Sequence, residues 1–296
     1  VNLFDPGLMS SPTPLEKPFS ADLTLAEPER LVPMLDRLWE LGIPHVTLDA
    51  GSEPKADWLV RAVEHAEDLG LIAGVRACGT ELSGGRLIED LAAAGADHAN
   101  VLLLSASAEM HDSLTRPGDH ASALDALKRT AEAEVCPMAE IALVRPTLDA
   151  LDDPVLFLAE QNLHNVGVFA LATDNDEAPG DALRADELVQ AAQLVEELAE
   201  EIDVRCLWYA PTRCDPGGSL AEQIIRGART SGDLAVRVEA DGAVLPGRGP
   251  RNSGGNLLED TWEMIHNSSA FRAYRQRVEH ETHCDECPGL AICAAD

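Results

Sequence analysis

The chain is poor in positive charge. It holds three lysines, Lys17, Lys55 and Lys128, and 22 basic residues stand against 52 acidic ones, a formal net charge of −30. A surface of that sign repels phosphate backbones and anionic lipid, which excludes nucleic acid and membrane as partners. Long apolar runs are missing too. Nothing approaches the roughly 18 residues of a membrane span. The opening from Val1 to Pro6 has no basic region followed by an apolar stretch, so no signal peptide is expected and the chain reads as soluble and cytoplasmic. The 7 cysteines lack the even count and regular spacing of a disulfide framework.

What is present is ordinary globular composition, 45% hydrophobic and 25% charged. The acids are spread along the whole chain. Such a diffuse acidic surface suits a protein working in concentrated salt, where its self-repulsion is screened.

Most of the sequence repeats one unit, a short apolar run followed by an amphipathic helix. Thr24 and Glu27 form a capping-box pattern, Leu31, Met34, Leu35, Leu38 and Leu41 recur at helical spacing, and Gly42 ends the helix. Strand-like runs follow at 45–50, 72–77, 99–104, 139–144, 166–172 and 204–209, with helical stretches near 56–70, 84–94, 120–135, 148–162 and 183–202. This alternation predicts parallel strands joined by helical crossovers. Five strands before residue 173 are too few for a closed eight-stranded barrel. After residue 204 the pattern changes: Asp241-Gly242 between apolar runs predicts a β-hairpin.

Several stretches together carry a family resemblance. They are Leu38–Ile43 running to Leu48-Asp49-Ala50-Gly51-Ser52-Glu53-Pro54, then Cys78-Gly79-Thr80, Glu109–Asp112, and Gly255–Asp260 with Trp262, Asn267, Ala270 and Phe271. In order and spacing the chain resembles the radical SAM enzymes with a C-terminal SPASM domain, over nearly its whole length. The resemblance implies a partial (β/α)6-type TIM barrel over residues 1–203, its first strand upstream of Val1, and a small SPASM-like α+β domain over 204–296.

The departures from the family pattern bear on activity. The catalytic cluster of that family hangs on Cys-x3-Cys-x2-Cys; here Val1, Asp5 and Leu8 take the three places. Valine and leucine cannot ligate iron, and one carboxylate does not replace the thiolates of a cluster. The family's Gly-Gly-Glu-Pro becomes Gly51-Ser52-Glu53-Pro54, so Gly51 and Glu53 mark a degenerate cosubstrate site. Its Ser-Leu-Asp at the end of the fourth strand becomes Leu102-Leu103-Leu104, which removes polar groups near the ribose. Binding of S-adenosylmethionine, and radical SAM catalysis with it, is therefore not expected, and no catalytic residue is assigned.

The SPASM half keeps one signature and loses another. Gly227, Gly242 and Gly247 stand on the first, with glycine where the family has its two cysteines. Cys284, Cys287 and Cys293 retain the second. Close thiolates call for a metal. The triad can hold one auxiliary [4Fe-4S] cluster, or zinc with His283 or another group; otherwise it is a set of reduced thiols packing a small domain. The fourth ligand is open among Cys206, Cys214, His283 and other residues.

Asp49, Glu53, Arg76, Arg145 and Asp174 fall at the C-terminal ends of strands, where barrels put their sites, and are candidates to bind a charged ligand. His111-Asp112 matches a structural helix of the family, and Cys78 and Cys136 read as small apolar fillers. Together these features resemble a pseudo-enzyme of the type found in salt-loving archaea beside intact radical SAM enzymes. That implies a partner or substrate-presenting role for such an enzyme, acting on a peptide or haem precursor. An electron-transfer protein using the single remaining cluster is the alternative, and a barrel enzyme with new chemistry on Asp49, Glu53 and Arg145 a third class.

Overall fold

The computed structural model describes residues 17–51, 56–173, 182–202, 204–209, 212–213, 219–226, 235–246 and 252–272. The chain opens with β1 (Ser20–Thr24), α1 (Pro28–Leu41), β2 (His45–Asp49), α2 (Ala56–Leu69) and β3 (Ile72–Ala77). Next come α3 (Gly79–Leu82), α4 (Leu87–Ala93), β4 (His98–Leu102), α5 (Ala108–Leu114), α6 (Asp119–Glu132) and β5 (Cys136–Leu143). Then α7 (Arg145–Leu148), α8 (Asp152–Glu160), β6 (Asn165–Thr173), β7 (Leu183–Arg184), α9 (Ala185–Glu201), β8 (Arg205–Trp208) and β9 (Thr212–Arg213). The last elements are α10 (Leu220–Arg226), β10 (Ala235–Val238), β11 (Ala243–Leu245), β12 (Gly255–Asn256) and α11 (Trp262–His266).

The strands form a mainly parallel sheet in the order β12-β11-β10-β1-β2-β3-β4-β5-β6, with β7, β8 and β9 all pairing with β6. Among the described residues only the β10–β11 and β11–β12 pairings are antiparallel. The expected hairpin turns at Gly242, whose φ of 87° a side chain would strain. Its first strand then lies parallel to β1, so residues before and after position 203 contribute to one sheet.

Pleating sorts the side chains into two faces. Ala21, Leu23, Val46, Leu48, Ala73, Val75, Val101, Leu103, Ile141 and Val168 point to the helices and form the main core with the buried stripe of α1 and with α2, α4, α6 and α9. The opposite, concave face carries Asp22, Thr47, Arg76, Asn100, Glu140 and Arg237, each alternating with those core residues.

Two local readings are corrected. β1 is too polar to register as an apolar run, yet it sits beside β2 in full register. The capping box at Thr24 and Glu27 is not made. Thr24 ends β1, and α1 begins at Pro28 after Glu27, with no side-chain cap. A proline at the first helical position leaves one fewer unpaired N–H at the helix start, and its ring fixes φ near the helical value. Only Leu25, Ala26 and Glu27 connect β1 to α1.

Gly74 is required by a close approach. A Cβ there would collide with the His98 ring, which crosses β3 at this point. Gly74→Ala should therefore lower stability by roughly 1–3 kcal/mol, the usual cost of overpacking. Denaturant unfolding would check this, and adding His98→Ala should restore part of the loss.

Candidate functional site

The concave face is divided into two zones. Its upper part, at the C-terminal ends of the strands, is apolar: Cys78, Leu102, Leu104, Ala142, Val144, Phe169 and Leu171 pack together under Ile224 of α10. Phe169, Leu104, Leu171 and Ile224 are wholly buried. Helix α10 is tied down because the Arg76 Nη1 donates to the Ile225 carbonyl at 2.9 Å. Burial pushes the Cys78 thiol up to about 12, so it stays a protonated, unreactive packing group.

Below this plug runs a polar network. Arg76 Nε donates to Glu140 Oε2 at 2.6 Å, and Glu140 is 2% exposed. Burial opposes the Arg76 charge, but Glu140 and Asp49 beside it hold the guanidinium more firmly protonated than usual. The amide of Asn100 donates to Glu140 Oε1 at 2.9 Å and to the Tyr209 hydroxyl at 3.3 Å. Burial, then the nearby Glu140 carboxylate, raise the Tyr209 phenol, which remains neutral. Its ring reaches across Gly167, where a Cβ would approach it to 2.7 Å.

The protons of the histidine pair follow from this arrangement. The Asn100 amide nitrogen faces a carboxylate, so its oxygen faces His98 Nδ1 at 3.0 Å, and that nitrogen is the N–H. His98 Nε2 is then an acceptor, and His45 Nε2 donates to it at 3.0 Å. Burial depresses both imidazoles, His45 to about 4, so the pair is neutral.

On the other side, Arg237 donates to Asp49 Oδ2 at 3.1 Å, to Thr24 Oγ1 and to Glu239 Oε1, and the Thr24 hydroxyl donates to Glu239 Oε2. Asp49 Oδ1 accepts the Gly51 N–H at 3.1 Å, fixing Gly51 at a φ of 68°.

Of the residues singled out in the sequence, Asp49, Gly51 and Arg76 meet here. Arg145 does not: it pairs with Glu187 of α9 at 3.0 Å. Glu53, Asp174, Val1, Asp5, Leu8, Cys214, Gly227, Gly247, His283, Cys284, Cys287 and Cys293 lie outside the described residues. Cys206 packs against the helix-side core with its thiol pushed up to about 11 by burial. Cys136, read as an apolar filler, is exposed at the start of β5, beside Asn165. His111 is structural as expected: it accepts the Leu104 N–H and donates to buried Asp119, while Asp112 accepts the N–H groups of Gly118 and His120 at the start of α6.

Asp22, Asn100, Glu140, Tyr209 and Arg237 were missed. Their signal was a polar residue alternating with apolar ones in short strands, as in Ala21-Asp22-Leu23-Thr24 and Ala139-Glu140-Ile141.

No protein-family model matches the chain, and no curated protein sequence does. Solved structures do resemble it. The native anSMEcpe with bound AdoMet and Cp18Cys peptide has a TM-score of 0.67 at 12% identity, covering 94% of this chain and 88% of that one. Streptococcus suis SuiB bound to S-adenosylmethionine has a TM-score of 0.63 at 12% identity, covering 94% and 70%. SuiB bound to the precursor peptide SuiA has 0.66 at 11%, covering 94% and 71%. At these identities the likeness shows a fold. That fold is radical SAM-like.

Two groups of the network tilt stability against pH in opposite senses. Burial raises the Asp22 carboxyl from 3.8 to about 7, so its contribution is full below pH 3.8 and is lost as pH rises through about 7. His45, lowered from 6.5 to about 4, contributes fully above 6.5 and loses that as pH falls through about 4. The two slopes oppose each other across one window. Asp22→Asn should make the melting temperature fall more steeply toward acid than in the wild type, and His45→Gln should make it fall less. Calorimetric scans from pH 4 to 7.5, at fixed salt, would show both tilts; parallel profiles in all three proteins would contradict them.

Proposed function

We propose that the chain is a non-catalytic, radical SAM-like protein that acts as a partner or substrate-presenting scaffold for an intact radical SAM enzyme working on a peptide or haem precursor. The observation that carries this reading is the filled mouth of the partial barrel. By the family resemblance the ribose of a cosubstrate would lie at the end of β4, and there Leu102 and Leu104 pack with Val144, Phe169 and Ile224 as buried apolar side chains. A ribose placed against them would lose its hydrogen bonds to water without replacement. The three residues joining β1 to α1 contain no cysteine, and Val1, Asp5 and Leu8 offer no thiolate set. The residues therefore do not fit a catalytic cluster with S-adenosylmethionine, and no step is derived through either.

The neighbours are consistent with a role in presenting a peptide: anSMEcpe and SuiB are each described with a peptide bound. In this reading the diffuse acidic surface belongs to a salt-rich cytoplasm, and the partner docks by shape and apolar contact under screened charge. Cys284, Cys287 and Cys293 are a chemically suitable donor set for one auxiliary iron–sulfur cluster, with zinc as the other fit. Their spacing also favours a second reading, electron transfer through that single cluster. About four irons with matching sulfide per chain and a reversible couple lost in Cys287→Ser would support it.

Calorimetric titration with S-adenosylmethionine at about 1 mM should show no binding, and a dissociation constant below about 100 μM would sink the scaffold reading. Pull-down in concentrated salt should recover a radical SAM enzyme. Phe169→Ala should cost about 3–5 kcal/mol of stability, as for other large buried side chains, without creating cosubstrate binding.

A further inference from the structure

Four carboxylates and two guanidinium groups line the polar part of the concave face: Asp22, Asp49, Glu140 and Glu239 against Arg76 and Arg237. Three of the acids each accept two hydrogen bonds. Asp49 takes them from Gly51 and Arg237, Glu140 from Arg76 and Asn100, Glu239 from Thr24 and Arg237. Asp22 accepts none from any described residue. The sheet register places it directly opposite Arg237 on β10, but the donors of Arg237 go to Asp49, Thr24 and Glu239. On its other side the register places it opposite Thr47 of β2.

Thr47 is the second irregularity. It is 7% exposed and turned to the concave face, yet its hydroxyl has no hydrogen-bond partner among the described residues. Buried hydroxyls and carboxyls are ordinarily paired. Here two neighbouring strands put an unpaired carboxyl and an unpaired hydroxyl at the same level. The hydroxyl of Thr47 is not sealed off by packing; among the described residues the one sealed and unpartnered side-chain nitrogen or oxygen is His120 Nε2. Asp22 itself is half-buried.

We infer that Asp22 and Thr47 bind a monovalent cation of ammonium size, either the ammonium head of an amine or a potassium ion. The charges choose the sign. Carboxylates outnumber guanidinium groups, so an anion would be repelled, and both unpaired groups offer oxygen lone pairs. The ligand set chooses the valence, because one carboxyl and one hydroxyl supply at most a single negative charge and too few oxygens for a divalent ion. An ammonium group donates to oxygens of this type, and potassium takes the same ligands. The site lies below the apolar plug and is independent of the scaffold reading.

The test uses the full chain and its melting temperature in potassium, methylammonium and tetramethylammonium chlorides at equal ionic strength. The first two cations should stabilise the wild type above the third, which is too large and has no N–H. Thr47→Val, close in shape, and Asp22→Asn should each raise the concentration needed for that cation-specific gain by about tenfold or more. A midpoint lower for methylammonium than for potassium identifies an amine head; the reverse identifies the free ion. Equal melting temperatures in all three salts, or an undiminished difference in both variants, would overturn the site.

Discussion

Glu140 is an almost wholly buried carboxylate in the middle strand region of the sheet, and the concave face is organised around keeping it paired. A buried charge is tolerated only when its partners satisfy it. Arg76 meets one oxygen and Asn100 the other. Each partner is then committed elsewhere: Arg76 reaches up to fix α10, and Asn100 reaches down to orient His98 and across to Tyr209. The side chains that bridge the face also need room. Gly74 and Gly167 supply it, since a Cβ at either would collide with the imidazole or phenol passing over it. The network and the two glycines form one constraint.

The apolar plug follows from the same arrangement. With Arg76 holding the Ile225 carbonyl, Ile224 is set over Leu102, Leu104 and Phe169, and the barrel mouth closes with the chain's own side chains. A face of this kind has two properties at once. Its upper half is packed like a core. Its lower half keeps charges, and Asp22 and Thr47 are the two groups there that the protein leaves without a hydrogen bond from its described residues. Much of the polar network is structural, which explains why charged residues at strand ends need not mark catalysis.

Low sequence identity with a shared fold is what this division of labour allows. The helix-facing positions need only apolar side chains of suitable volume, which many sequences provide. The concave positions are not bound by that requirement, and here they combine leucines at one level with acids and arginines at the next.

The alternation of strand and helix and the hairpin at Asp241-Gly242 were legible in the sequence, because each rests on local periodicity or turn chemistry; the structural part of His111 was implied only by the family resemblance. The apolar end of β4 at Leu102, Leu103 and Leu104 was legible too. β1 was not, since a strand written Ser-Ala-Asp-Leu-Thr shows too few apolar residues for its period to register, and only pairing on both sides makes it a strand. Nor could the sequence say which charges meet. Arg237 and Asp49 are 188 residues apart, Arg76 and Glu140 64, and their pairing is set by sheet order and register. Arg145, equally promising as a residue type, is carried off to α9. Local pattern fixed the units of this protein, and tertiary structure alone decided which polar side chains share the concave face, because that depends on which strands become neighbours.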